Sequence, residues 1–338
     1  MDHTTRSGSL QFYPRCRAKK IIPSVNWRPV AVHNRRENTH NGTKAGLMGF
    51  VGYKVGMTSV FVKDETPDSM TKGKKIIVPG TILECPSMKV YSIRFYKNNQ
   101  VVGEVVVSND KILRRKIKVA KDVKSFDEKI KKIVSDDNAY DDVRVVLFSE
   151  VFKTGIGKKK PNLLEIGLSG AKHDKLHFAK EKIGKEISVS DVFGASVGKL
   201  VDIHGVTKGY GLQGPVKRFG IGLKSHKSEK GQRRPGSLGP WTPSRVTFRA
   251  PQAGQVGYFT RVSYNNLIMK VGSVKDGKEK GANVNIPGGY KRYGNVKTDY
   301  IILRGSVPGA KMRGLAITSA IRPTKFQAKK KLEVLELR

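Results

Sequence analysis

Short apolar runs, separated by Gly, Pro, Asn or Lys, follow one another along most of the chain. Four of them lie near the amino end, at residues 46–57, 75–83, 89–95 and 101–107. They are rich in Val and Ile, which is typical of β-strands. The pattern returns at residues 143–148, 163–168, 191–204, 267–271, 300–307 and 315–321. The sequence therefore predicts a mainly β protein.

Helical periodicity is strongest between residues 118 and 189. Ser125 and Glu128 form a capping box, and apolar residues then recur on one helical face at Phe126, Ile130, Ile133 and Val134. A second helix is predicted at 171–182. This segment has 16 basic and 12 acidic residues. We interpret it as an inserted α+β lobe that faces solvent or protein more than phosphate.

The pattern breaks between residues 204 and 262. These 59 residues contain 11 basic residues, one acid (Glu229), 11 Gly and five Pro. Six aromatic residues are interleaved with them: Tyr210, Phe219, Trp241, Phe248, Tyr258 and Phe259. Cations neutralise phosphates, and aromatic rings stack on unpaired bases. The segment is predicted to be a loop that extends into folded RNA, and a disordered linker is the alternative.

Charge narrows the class of partner. The 338 residues include 65 Lys and Arg against 28 Asp and Glu, a net charge of +37. Such an excess favours a polyanionic partner, and nucleic acid is preferred to a membrane because no run of about 18 apolar residues is present. Cys16 and Cys85 stand far apart, which fits a reducing cytoplasm and excludes a four-cysteine zinc site.

These patterns divide the chain into seven predicted segments. They are a basic RNA-binding arm (1–44), a first group of sheet strands (45–117), the inserted lobe (118–189), a further strand (190–203), the Gly, Arg and aromatic loop (204–262), the remaining strands (263–325) and a basic tail (326–338).

Three motifs of enzymes are rejected. Gly209–Gly214 matches GxGxxG, but a dinucleotide site requires an apolar helix to start there and an acid about 20 residues on. Here Pro215, Lys217 and Arg218 follow the motif, and position 234 is Arg within a basic stretch. His173 and His177 have the spacing of zinc ligands but lack the Glu general base and a third ligand. No phosphate-binding GxxxxGK[ST] loop is present. We expect no catalytic residue, no metal and no cofactor.

Several motifs together resemble one family. Residues 205–218 (GVTKGYGLQGPVKR), 236–246 (GSLGPWTPSRV) and 253–258 (AGQVGY) are similar to signatures of the ribosomal protein L3 family of the large subunit. Residues 8–18 (GSLQFYPRCRA), 49–58 (GFVGYKVGMT) and 304–309 (RGSVPG) agree with its archaeal and eukaryotic branch. The matches span the chain in order, and its moderate length favours the archaeal type.

The resemblance implies a fold and a location. It implies a six-stranded translation-protein-type β-barrel with long basic extensions, bound near the 3′ end of 23S rRNA in the 50S subunit. Members of the family act early in assembly and extend the glycine-rich loop toward the peptidyl transferase centre. The arm would follow a second path into RNA. Ribosomal proteins L14 and L24e would be neighbours in the cytoplasmic ribosome.

The residues expected to contact rRNA lie on the arm and the loop. Their cations should bind phosphates, and the tryptophan should pack or stack at the loop tip. They are Arg15, Arg17, Lys19, Lys20, Lys208, Lys217, Arg218, Arg233, Arg234, Trp241, Arg245, Arg249 and Arg261.

Overall fold

The computed structural model describes residues 6–37, 45–120, 126–134, 139–194, 197–275, 278–279 and 284–337. The chain forms two compact units. Unit 1 consists of Met1–Lys20 and Val206–Arg261, and unit 2 of Ile21–Gly205 and Val262–Arg338. In the described ranges, no helix has the length and apolarity needed to cross a membrane.

Strands make up most of the regular structure, as the sequence predicts. They are β1 (Gly46–Leu47), β2 (Gly49–Asp64), β3 (Lys75–Glu84), β4 (Met88–Lys97), β5 (Gln100–Val106), β6 (Asp142–Ser149), β7 (Leu163–Ser169), β8 (Leu200–Val206), β9 (Gly209–Gln213), β10 (Gly254–Gly257), β11 (Thr260–Gly272), β12 (Val274–Lys275), β13 (Lys278–Glu279), β14 (Tyr300–Arg304), β15 (Gly314–Ser319) and β16 (Leu332–Leu337). The helices are α1 (Trp27–Glu37), α2 (Phe126–Val134), α3 (Lys172–Glu181), α4 (Val189–Phe193), α5 (Pro215–Phe219) and α6 (Lys325–Ala328).

The larger sheet of unit 2 has seven strands in the order β15-β8-β11-β14-β3-β2-β16, and β15 also pairs with β2. The 16-residue length of β2 allows its first half to pair with β15 and its second half with β16. Gly49 is required where β2 passes under a helix, because a Cβ there would lie 2.7 Å from the Ile317 carbonyl oxygen and 2.8 Å from the Trp27 ring.

A second sheet has five strands in the order β1-β7-β6-β4-β5. β4 and β5 were predicted to belong with the strands of segment 45–117, but β4 pairs with β6 from Met88 to Tyr96. The lobe therefore begins near Met88 and not at residue 118. Alternating Val and Ile residues indicate that a strand exists, but they do not indicate which sheet it joins.

Helix α1 lies within the segment predicted to be an extended arm. Trp27 is 2% exposed and Val30 is fully buried, and the Trp27 Nε1 donates to the Glu165 carbonyl oxygen at 3.1 Å. Two apolar side chains three positions apart share one helical face, so they dock the helix although the whole segment is poor in apolar residues. Residues 21–37 therefore belong to unit 2 and not to a free arm.

Other predicted elements are confirmed or revised. The helix predicted from Phe126 is α2, with Ile130 fully buried; Ser125 of its capping box lies outside the described residues. The helix predicted at 171–182 is α3. The strand predicted from residue 191 begins only at Leu200, because Ser188 and Asp191 form a capping box that starts α4. The predicted tail contains β16, which pairs with β2.

The Asp64 carboxylate organises the turn after β2. It accepts hydrogen bonds from the Thr66 amide at 2.9 Å, the Ser69 hydroxyl at 2.9 Å and the Thr71 hydroxyl at 2.5 Å. The hydrogen bonds from Thr66 and Thr71 hold the pKa of Asp64 well below its ordinary value. A lowered pKa in the folded state adds stability above the unfolded-state pKa of about 4, and that stability is lost as the pH falls.

Asp64→Asn is therefore expected to destabilise the protein most near pH 7 and progressively less below about pH 4. Urea unfolding at a series of pH values measures the difference. Asp68→Asn is the matched control, since it removes an exposed carboxylate from the same turn. Equal effects of the two substitutions at pH 7, or a pH-independent effect of Asp64→Asn, would refute the role of the hydrogen bonds.

Candidate nucleic-acid interface

A short hairpin forms the regular part of unit 1. β9 pairs with β10, with Gln213 opposite Gly254 and Gly211 opposite Val256, and α5 follows β9 directly. Gly257 has a φ of +70°, and a Cβ there would lie 1.9 Å from the Lys208 carbonyl oxygen, so only glycine closes this hairpin. Phe219 of α5 is 1% exposed. Part of the loop predicted at 204–262 is thus ordered within the chain itself.

Residues 6–20 pack on this hairpin and helix. The Ser7 amide donates to the Phe219 carbonyl oxygen at 2.7 Å, and the Ala18 amide donates to the Tyr258 carbonyl oxygen at 2.8 Å. The Arg15 Nη1 donates to the Arg218 carbonyl oxygen at 3.1 Å. The family resemblance implies a separate path for the arm, but over residues 6–20 the arm and the loop form one compact unit.

Arginines and aromatic rings alternate where the arm meets the loop. The Arg15 guanidinium lies 4.5 Å from the centre of the Phe219 ring, and that of Arg261 lies 4.5 Å from the centre of the Phe12 ring. Arg218 donates from Nε to the Gln255 carbonyl oxygen at 3.2 Å. Each of the two cation–π contacts stabilises the unit by about 0.5–2 kcal/mol, depending on how far the cation is desolvated. We call Arg15, Arg218 and Arg261 the arginine clamp.

The clamp concentrates positive charge. Burial, followed by repulsion from Arg15, lowers the pKa of both Arg218 and Arg261, although arginine stays protonated near neutral pH. Unit 1 contains 16 Lys and Arg against two acids, Asp2 and Glu229. A compact unit with that imbalance is stabilised when a polyanion supplies the counter-charge.

All 13 residues predicted to contact RNA lie in unit 1, in two structural settings. The three clamp residues are half-buried, and Arg15 and Arg218 donate to backbone carbonyls of the loop, so their first role is to hold its shape. The other ten are exposed: Arg17, Lys19, Lys20, Lys208, Lys217, Arg233, Arg234, Trp241, Arg245 and Arg249.

The sequence interpretation omitted Arg6, whose guanidinium lies 5.0 Å from the centre of the Phe219 ring. It also omitted the exposed Lys224, Lys227 and Lys230, which their regular spacing within the same basic loop could have indicated.

Residues 220–253, all of them described, connect α5 to β10 without a further helix or extended strand. Trp241 within them is 94% exposed. A groove of about 460 Å³ lies beside it, lined by Leu238, Pro240, Trp241, Ser244, Arg245 and Val246. An indole ring offers a large apolar surface, so full exposure in the free chain favours a partner that covers it.

The rejected enzyme motifs have ordinary structural settings. The GxGxxG residues Gly209–Gly214 lie mostly within β9, and the five-residue α5 that follows begins at a proline. His173 and His177 are both exposed on α3. Among the described residues, no group of three or more His, Cys, Asp or Glu side chains could hold a metal ion.

Fold and site together define a mainly β protein that presents a polycationic, aromatic unit suited to nucleic acid. The family model of Ribosomal protein L3 matches residues 1–338, so the chain belongs to this family. It is 40% identical over 332 residues to the large ribosomal subunit protein uL3 of Archaeoglobus fulgidus. The aligned region covers 96% of this chain and 93% of that protein. The protein of the same name from Methanothermobacter thermautotrophicus is 40% identical over 330 residues, 95% of this chain and 92% of the relative.

Proposed function

We propose that this chain is a structural constituent of the large (50S) ribosomal subunit and a primary binding protein of its 23S rRNA. One observation carries the proposal. Unit 1 contains 16 Lys and Arg against two acids, and it exposes the side chain of Trp241. The relatives named as large ribosomal subunit proteins are similar over nearly the whole chain, including this unit.

The half-buried and the exposed basic residues have different roles in the proposed function. The arginine clamp fixes the base of the loop before RNA arrives, so less conformational entropy is lost on binding. The ten exposed residues then meet RNA directly. Lysines and arginines neutralise phosphates and position the protein, while Trp241 packs or stacks at the tip.

The finer features of the proposal follow the family resemblance. The chain would bind near the 3′ end of 23S rRNA, nucleate subunit assembly and extend residues 220–253 toward the peptidyl transferase centre, without a catalytic residue of its own. Ribosomal proteins L14 and L24e would be its neighbours in a cytoplasmic ribosome. A six-stranded barrel is supported by the pairing of β15 with both β8 and β2, which returns the strand order to its beginning.

A sucrose-gradient profile tests this function. The tagged chain, expressed in an archaeon, is expected to sediment with the large subunit and to remain there after a wash in moderate salt. Sedimentation with the small subunit alone, or only at the top of the gradient, would contradict the proposal.

Trp241→Ala is the matched variant without a charge change. It is expected to enter subunits normally and to alter peptidyl transfer or antibiotic sensitivity.

A further inference from the structure

A second group of cations lies in unit 2, on the lobe built around the five-stranded sheet, and all of them are exposed except the half-buried Lys158. It is formed by residues 111–118 and residues 158–160, and neither segment contains an acid or an aromatic residue. We call these residues the lobe surface: Lys111, Arg114, Arg115, Lys116, Lys118, Lys158, Lys159 and Lys160.

The local structure turns these cations outward. Lys111–Arg115 forms a short 3-10 helix in which Leu113 is fully buried, and Ile112 and Ile117 are half-buried. The apolar positions anchor the segment on the lobe. The five basic residues between and around them are all exposed. This amphipathic pattern holds the basic side chains at the surface, and the segment contains no acidic residue that would neutralise them.

The two segments lie close to each other. Ile117 and Lys118 line the same shallow groove as Leu163, the first residue of β7, and residues 158–160 shortly precede that strand. Tyr91 and Glu104 also line this groove, and the Glu104 carboxylate is already paired with Arg94 at 3.0 Å. The Lys158 Nζ donates to Asn162 Oδ1 at 2.5 Å. Burial, and then the charge of Lys116, lowers the pKa of Lys158. The positive charges of Lys116 and Lys158 repel each other, and an anion bound between them would relieve that repulsion.

Several other cations of the lobe have acidic partners. The Lys153 Nζ lies 2.5 Å from the Glu150 carboxylate, the Lys89 Nζ lies 3.0 Å from the same carboxylate, and the Arg144 Nη1 lies 3.0 Å from that of Glu165. By contrast, no carboxylate in the described ranges lies within ion-pair distance of a lobe-surface cation. Within residues 118–189, the near balance of charge thus conceals cations without an acidic partner among the described residues, at Lys118 and residues 158–160.

We propose that the lobe surface binds the phosphate backbone of double-helical rRNA, as a docking site distinct from unit 1. Eight cations that have no acidic partner among the described residues match a polyanion in charge. The absence of aromatic residues from both segments favours the paired backbone over unpaired bases, which proteins bind by stacking. The contact positions the protein and does not read sequence. The inference rests on the proposed function only for the identity of the RNA.

The test compares two full-length variants with equal loss of charge. The first carries Arg114→Gln, Arg115→Gln, Lys116→Gln, Lys159→Gln and Lys160→Gln. The control carries Lys72→Gln, Lys74→Gln, Lys75→Gln, Lys325→Gln and Lys329→Gln, which are also exposed residues of unit 2. Filter binding to transcribed large-subunit rRNA of Archaeoglobus fulgidus is measured over a range of salt concentrations, with thermal unfolding as the check on folding.

The lobe-surface variant is expected to bind roughly tenfold or more weakly near 0.1 M salt, with a log-log salt slope lower by several units, whereas the control changes affinity less than about threefold. Hydroxyl-radical footprinting should show loss of protection on one duplex, while protections due to unit 1 persist. Equal affinities and footprints of the two variants would overturn this inference alone. The inference would also be overturned if the lobe-surface variant left the rRNA footprint unchanged but caused a neighbouring protein to be lost from assembled subunits. Failure of the unsubstituted chain to bind rRNA would instead refute the proposed function.

Discussion

Trp27→Ala is expected to lower the free energy of unfolding by about 3–5 kcal/mol, the usual cost of removing a large buried aromatic side chain. Trp27 is 2% exposed, packs against Gly49 of β2 and donates a hydrogen bond to β7. Its removal leaves a cavity where α1 meets both sheets. Urea unfolding followed by circular dichroism measures the change.

The chain supplies its own control, because its second tryptophan is exposed. Trp241→Ala should change the free energy of unfolding by less than about 0.5 kcal/mol, since Trp241 is 94% exposed. The two substitutions remove the same side chain from opposite environments. If both lowered stability by a similar amount, the assignment of Trp27 to the core and of Trp241 to the interface would be wrong.

Replacing residues 231–251 with a short Gly-Ser linker should have the largest effect on RNA binding. The deletion removes Arg233, Arg234, Arg245, Arg249 and Trp241 but leaves the β9–β10 hairpin and both sheets of unit 2 intact. Cooperative unfolding should persist, because a segment that makes few contacts in the free chain adds little stability. The log-log salt slope for rRNA binding should fall by up to about three to four units.

Four Arg→Gln substitutions at the same positions separate charge from chain length. They should lower the salt slope as much as the deletion does while keeping the tip in place. A slope unchanged in both variants would show that these arginines do not meet phosphates. Loss of cooperative unfolding in the deletion variant would show that the loop belongs to the core of the free protein.

The sequence indicated which residues form strands but not how they pair. Val143–Phe148 and Met88–Lys97 have similar compositions, and only three-dimensional pairing shows that they share a sheet. Trp27 was overlooked for a related reason. Its segment has too few apolar residues to form a core of its own, but it needs none once two sheets offer a surface.

The basic, aromatic unit was easier to locate from the sequence, because charge and aromatic content accumulate locally along the chain, but its contacts with RNA remain predictions. All the predicted contact residues lie in one unit. The sequence could not distinguish basic residues that hold the loop from those that face outward: Arg218 is half-buried and donates to a backbone carbonyl, whereas the neighbouring Lys217 is exposed. The unpaired lobe surface was also hidden, because a count of charges does not reveal which acids reach which cations.

Binding of the unsubstituted chain to large-subunit rRNA, titrated with salt, tests the central claim most directly. Each phosphate contact releases about 0.9 counterion on a duplex and about 0.7 on a single strand. Nine of the residues predicted to contact rRNA are exposed cations, so the logarithm of the binding constant should fall linearly with the logarithm of salt concentration, with a slope of several units. An affinity that is the same at low and high salt would contradict an interface built on phosphate neutralisation.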